Sequence, residues 1–236
     1  MLQKTAKNNA VIAIEGVQLL SLYDQRSFKA LSISDRILNL ENSRQVQLKK
    51  NQIAFFNLFI KFIKGDFTEE EFRKEKFDLS IYFRKIYEKL HLEFESYIKL
   101  LDQNFLISQK ICHNITTTIG RTLFARLLSG DTTYTNIINY TALGDDNTGA
   151  VVADATLGNE TYRKALTTGI FTTTSMIAET YIGAGDATDT HEEFAMFVDG
   201  GAGANTGQIV NRWTETQVKS ATQSLNVRSQ FDFADA

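Results

Sequence analysis

Three stretches of the chain collect residue types that do chemistry elsewhere, and each lacks the context the chemistry needs. Gly200-Gly201-Ala202-Gly203-Ala204-Asn205-Thr206-Gly207 has the composition of a phosphate cradle. A cradle works when a helix N-terminus follows it and aims amide groups and the positive dipole end at the anion. Here Gln208-Ile209-Val210-Asn211-Arg212-Trp213 follows, with the alternation of a strand. The stretch therefore reads as a mobile hairpin loop, with Gly201 and Gly203 as candidates for contact with a partner. Asp145-Asp146-Asn147-Thr148-Gly149 opens like a calcium loop but lacks the distal Glu that completes the coordination, and so reads as a structural turn. The segment 183–193 sets Asp186 and Asp189 before His191-Glu192-Glu193, but His91, His113 and His191 have no zinc-ligand spacing among them. No metal, cofactor or catalytic group is expected from these patterns.

Around them the residues read as architecture. In 139–166 a Gly/Asp/Asn turn leads into Asp154-x-x-Leu157-x-x-Glu160-x-x-Arg163-Lys164, where Gly and Asx residues bend the backbone at low cost. Glu160, Arg163, Lys164, Glu193, Arg212 and Lys219 fall inside strand-like segments. Any that point inward must be paired, because an unpaired buried charge costs several kcal/mol, roughly. Glu160 or Glu193 is expected to pair with Arg212 or Lys219. The single cysteine, Cys112, excludes an internal disulfide and reads as a small buried hydrophobe.

Composition divides the 236 residues near His113–Asn114. Residues 1–113 carry 18 Lys+Arg against 14 Asp+Glu, and 114–236 carry 7 against 14. Thr occurs 2 times before the division and 23 times after it, as do 12 of the 14 Gly. That is helix-like usage followed by strand-and-turn usage. The acidic second part, with no cluster of cations, argues against nucleic acid. The most apolar run, 53–63, is too short to span a bilayer.

The elements follow the same division. In residues 1–45 Val11, Ala13 and Val17 alternate with other residues, while Phe28, Leu31, Ile33 and Ile37 follow no clean period, so short strands and a short helix read equally well. Residues 46–64 are apolar on more than one helical face, and Gly65 ends them. Thr68-x-x-Glu71 has the form of a capping box, with three Glu in the first turn. The helix it starts is expected over 69–101. Phe72, Leu79, Phe83, Ile86, Leu90, Phe94 and Tyr97 form its apolar seam. The seam suits packing against 46–64 in one chain, with coiled-coil-like association between copies as the sharper alternative. These seven residues are the candidate interaction surface. Asn114 is placed as the cap of a short helix ended by Gly130. Six short strands then follow around 137–143, 161–168, 171–182, 192–199, 209–213 and 225–233. The fold class is α+β, a helical region (1–113) and an antiparallel β-sandwich (114–236).

The second part resembles a β-sandwich module of tailed-bacteriophage and prophage tail, fibre or baseplate proteins. The residues that carry the resemblance are Asn114-Ile-Thr-Thr-x-Ile-Gly120-Arg121, Gly130-Asp131, Asn139-Tyr140-x-Ala142-Leu143-Gly144 and the Asp154–Lys164 pattern. Glu193-x-x-x-Phe197, Arg212-Trp213, Lys219 and Leu225-x-Val227-x-x-x-Phe231-x-Phe233 complete it. Met196 stands where the family carries a Gly, and the segment before Glu193 is acidic. The resemblance implies a non-enzymatic building block of the virion, used in several copies, and it carries over no catalytic residue. The expected partners are other virion proteins and copies of the chain itself, a trimer first. Recognition of host surface glycan through loops 144–149, 183–191 and 200–207 is the second reading. An envelope hydrolase using Glu192 or Glu193 is the third.

Overall fold

The structure, a computed structural model, describes residues 12–235 other than 132, 136 and 172–174. Val11 and part of the expected strand 171–182 lie outside the described residues. The chain opens on strand β1 (Ile12–Asp24), then forms two long helices, α1 (Phe28–Ile63) and α2 (Glu69–Phe105). Strands β2 (Leu106–His113) and β3 (Ile115–Thr116) lead to a short helix, α3 (Thr118–Ser129). Seven strands follow: β4 (Ile138–Gly144), β5 (Glu160–Ala165), β6 (Thr168–Phe171), β7 (Ser175–Ile182), β8 (Thr190–Val198), β9 (Gln208–Val218) and β10 (Gln223–Asp235).

The strands make two antiparallel sheets, ordered β2-β1-β10-β7-β6 and β3-β9-β8-β4-β5. Their facing sides close a core in which Leu20, Leu22, Ile182 and Phe231 of the first sheet meet Leu143, Phe194, Met196 and Trp213 of the second. The Phe194 and Trp213 rings stack at 5.4 Å. Cys112 belongs to this core, where burial pushes its thiol up to about 11. It is the small buried hydrophobe expected of it. The fold is thus the expected helical region plus sandwich, with more strands than the six foreseen.

The helices are longer than expected. α1 starts eighteen residues before position 46, at an N-cap where Ser27 Oγ accepts from the Ala30 amide. Its base buries Ile33, Ile37 and Leu40 at helical spacing against Phe94, Ile98 and Leu101 of α2 and against Tyr23 and Tyr181 of the first sheet. α2 begins on the expected capping box: Thr68 Oγ1 accepts from the Glu71 amide, and Glu71 Oε2 accepts from the Thr68 amide at 2.9 Å. α3 is capped by Thr117 and not by Asn114, because 115–116 are already paired to β9. Gly130 ends it in the left-handed conformation at φ 77.

The boundary at 113 does not separate two folding units. β1 pairs with β10 from Ile12↔Asp235 to Asp24↔Gln223, and β2 flanks β1 on the other side. Two of the five strands in the first sheet therefore come from the region expected to be helical. The two helices are an excursion between neighbouring strands of one sheet. A fragment of residues 114–236 would lack both strands and expose Val227 and Phe231 along β10. Losing the Leu20 and Leu22 side chains alone forfeits about 1.5–3 kcal/mol each. Circular dichroism of that fragment is expected to show no cooperative thermal transition, whereas residues 12–236 give one; a folded fragment would restore the boundary.

Candidate functional site

Two kinds of surface and interior could carry function: the helical hairpin, and the charged groups buried in and around the sheets. The hairpin crosses the first sheet. Along α2, Asp102 Oδ1 accepts from the Tyr23 hydroxyl of β1 at 2.8 Å, and Glu95 lies 3.4 Å from Arg228 of β10. Further on, His91 Nδ1 lies 3.3 Å from Thr168 Oγ1 of β6, and the Arg84 guanidinium sits over the Phe171 ring at 4.8 Å. These contacts follow the strand order from β1 to β6, so the helices run across the strands. On α1, Arg44 donates to the Leu166 carbonyl at 3.0 Å, and Glu41 pairs with Lys164 at 3.1 Å. Leu48, Asn51 and Phe55 of α1 and Ser80 and Phe83 of α2 still line clefts shared with Gly169, Ile170 and Phe171 of β6, and residues 56–79, which line neither, form the far end of the hairpin.

The seam residues are spent mostly inside the chain. Phe94 is wholly buried in the cluster at the hairpin base, with Leu90 and Tyr97 packed against that cluster. Phe83 is buried, Leu79 and Ile86 are half-buried, and Phe72 stacks on Phe62 at 4.6 Å between centroids. The candidate interaction surface is thereby corrected, because a seam that faces α1 is not open to a partner. The open apolar groups are others. Phe56, Phe59 and Ile63 share one stripe of α1, and Phe77 and Ile81 lie one turn apart on α2. Phe56, Ile63 and Phe77 are 62%, 64% and 64% exposed. Sequence periodicity could not separate the two sets, since both recur at helical spacing.

Gly201 and Gly203 lie in a loop hydrogen-bonded to its own Thr206 and to Glu160 and Arg163. Thr206 Oγ1 accepts from the Gly201 amide at 2.9 Å and donates to the Gly203 carbonyl at 2.7 Å. Arg163 donates to the Thr206 carbonyl, and Glu160 accepts from the Asn205 amide at 2.9 Å. Glu160 and Arg163 also pair with each other at 2.6 Å, both almost fully buried. The loop presents no helix N-terminus, in agreement with the rejection of a phosphate cradle.

Glu193 and Arg212 form the expected buried pair, at 2.9 Å with 0% and 3% side-chain exposure. Glu193 also accepts from the Gly158 and Asn159 amides at 2.9 and 2.7 Å. Arg212 goes on to Asp154 Oδ2 at 2.9 Å and to the Thr148 carbonyl at 2.8 Å. The carboxylate thus holds loop 145–159 on the outer face of the second sheet, where Leu157 packs with Ala142, Ala195, Phe197 and Ile209. Gly144 stands opposite Glu193 in the β4–β8 register, and a Cβ there would lie 2.4 Å from Glu193 Oε1. Lys219 takes neither carboxylate: its ammonium donates to the Asp186 carbonyl at 2.6 Å, and burial lowers it to about 8.

A second buried cluster was not foreseen. His91 and Glu95, one turn apart on α2, approach Glu179 of β7, with a ligand atom from each lying within 4.8 Å of the others. Glu179 is fully buried. Burial, with the Glu95 carboxylate beside it, pushes it up to about 8. Desolvation holds His91 below its ordinary value. The spacing His91-x-x-x-Glu95 was visible in the sequence, but nothing there linked it to Glu179, eighty-four residues on.

No family model matches the chain, and no curated protein matches it.

The two kinds of carboxylate should separate in stability. Replacing Glu193→Ala leaves Arg212 buried beside Asp154 alone and two amides without an acceptor, at an expected cost of about 3–5 kcal/mol. The neighbouring Glu192→Ala removes only a half-exposed carboxylate bonded to the Thr216 hydroxyl, at a cost of about 1 kcal/mol or less. Urea unfolding of the two variants measures the difference.

Proposed function

We propose that this chain is a non-enzymatic structural subunit of a tailed-phage virion, a tail, baseplate or fibre component that works by protein–protein assembly. The observation that carries the reading is the projecting part of the hairpin. Phe56, Phe59, Ile63, Phe77 and Ile81 are exposed toward the far end of the hairpin, away from its buried base. Clustered exposed apolar side chains of this size mark an interaction surface. The natural cover is the same stripe on other copies, since parallel or antiparallel helices bury such stripes against each other. The resemblance of residues 114–236 to phage sandwich modules supports placement in a virion. The buried carboxylates Glu160 and Glu193 support a structural role: each accepts from amide or guanidinium donors and so fixes a loop to the second sheet. No helix among the described residues is long and apolar enough to cross a membrane.

Light scattering on the purified chain is expected to show a homo-oligomer, a trimer first. The paired substitutions Phe56→Glu and Ile63→Glu should weaken association by at least about 100-fold, taking about 1.5–3 kcal/mol for each large apolar side chain left exposed. The helical circular dichroism should persist. A monomer at high concentration would overturn the reading.

A further inference from the structure

We propose that His91, Glu95 and Glu179 form a binding site for a borderline divalent metal ion, Zn²⁺ or a first-row neighbour, that clamps α2 to β7. The donor set is one imidazole and two carboxylates, contributed by two elements that meet at the base of the hairpin. Imidazole with carboxylate is the ligand chemistry of Zn²⁺, Co²⁺ or Ni²⁺, whereas Ca²⁺ and Mg²⁺ prefer oxygen alone.

Four observations at the cluster point to a cation. Thr168 Oγ1 engages His91 Nδ1 at 3.3 Å, so the ring is held with Nε2 toward Glu95 Oε1, 3.9 Å away. A hydroxyl on one ring nitrogen, with the other turned into a carboxylate cluster, is the arrangement that orients metal-ligating histidines. Glu179 is fully buried: Oε1 accepts from Asn226 Nδ2 at 3.2 Å, Oε2 has no N–H or O–H donor, and the only other group in hydrogen-bond reach among the described residues is the Glu95 carboxyl, like-charged when ionised. Asn226, 2% exposed, has its own Oδ1 without a donor and lines the same cleft, a space of 470 Å³ that also reaches Glu95 and Arg228. That cleft provides room for the water that completes a tetrahedral or five-coordinate ion.

Arg228 is the competing cation. Its Nη1 lies 3.4 Å from Glu95 Oε1 and 3.7 Å from Glu179 Oε1, longer than a good ion pair in both cases. One guanidinium thus serves both carboxyl groups at long range. A divalent ion would bind both as carboxylates beside the imidazole, with Arg228, which lines the cleft, displaced into it. A tetrahedral ion holds its ligand atoms roughly 3.3 Å apart. Closing the observed separations to that value asks for rotation of Glu95, the most exposed of the three.

The full-length chain, stripped with EDTA, is titrated with Zn²⁺ by calorimetry and with Co²⁺ as an absorbing probe. A single ion per chain is expected, with tetrahedral or five-coordinate Co²⁺ bands and a rise in Tm on adding Zn²⁺. Glu179→Gln and His91→Gln, each checked for native circular dichroism, should lose the bands and the Tm rise. Arg228→Gln should keep the site and bind several-fold more tightly. Absence of Zn²⁺ and Co²⁺ binding by the unsubstituted chain would overturn the proposal and leave a proton shared between the two carboxyl groups. Binding unchanged in whichever of the two ligand variants folds, or a preference for Ca²⁺ over Zn²⁺, would overturn it as well. Oligomeric state plays no part in these readouts, so this result and the assembly reading stand or fall separately.

Discussion

Both ends of the helical hairpin enter neighbouring antiparallel strands of one sheet, and this constraint shapes everything else in the molecule. β1 delivers the chain to α1, α2 returns it to β2, and the two strands pair from Val17↔His113 to Tyr23↔Leu106. The hairpin is therefore rooted at two adjacent points and cannot pivot on a single linker. Because β1 also lies against β10 along its whole length, the root is continuous with the sandwich core. The first sheet consequently has no bare face where the helices lie. One side meets the second sheet and the other meets Ile33, Ile37, Phe94 and Leu101. β7 shows the result: six consecutive residues, 177–182, are buried, as in sheets covered on both sides.

The buried charges divide into those whose bonding is complete and those whose bonding is not. Glu193 has two amides and a guanidinium, and Glu160 has Arg163 and an amide, so both are fixed acceptors with nothing left to offer. Their work is to hold loops that the hydrophobic effect alone would leave loose, since 145–159 contributes little apolar surface apart from Leu157. Around Glu179 the accounting differs: one oxygen is satisfied, its neighbour Asn226 is half satisfied, and the nearest arginine is at arm's length. A polar group left incomplete in a low-dielectric interior is costly, so such a place is where a missing ligand or proton is to be sought.

How much was legible follows from what each element buries. α2 was readable because its cap is local and its seam keeps helical spacing for most of its length. The first half of α1 was not, because Phe28 and Leu31 are exposed while Ile33, Ile37 and Leu40 carry the packing. The two sets overlay into an aperiodic string. β1 was hidden for another reason. From Leu20 to Tyr23 it is buried on both faces, and it carries Gln18 and Ser21 inside among its leucines, so it alternates in no simple way. β2 shows the reverse, with Ile107 and Ile111 exposed on an edge strand. The Glu193–Arg212 pair could be anticipated because charge inside a strand demands a partner. The His91–Glu179 approach could not, since it depends on the angle at which a helix crosses a sheet, and no residue pattern encodes that angle locally.

That crossing angle has a mechanical meaning. The hairpin lies over four strands and then overhangs the β6 side, with residues 56–79 reaching roughly 15–20 Å past the clefts shared with β6 at 1.5 Å per residue. A sideways load on the overhang is carried by both helices into two adjacent, paired strands, and so into the sheet itself, not onto one flexible joint.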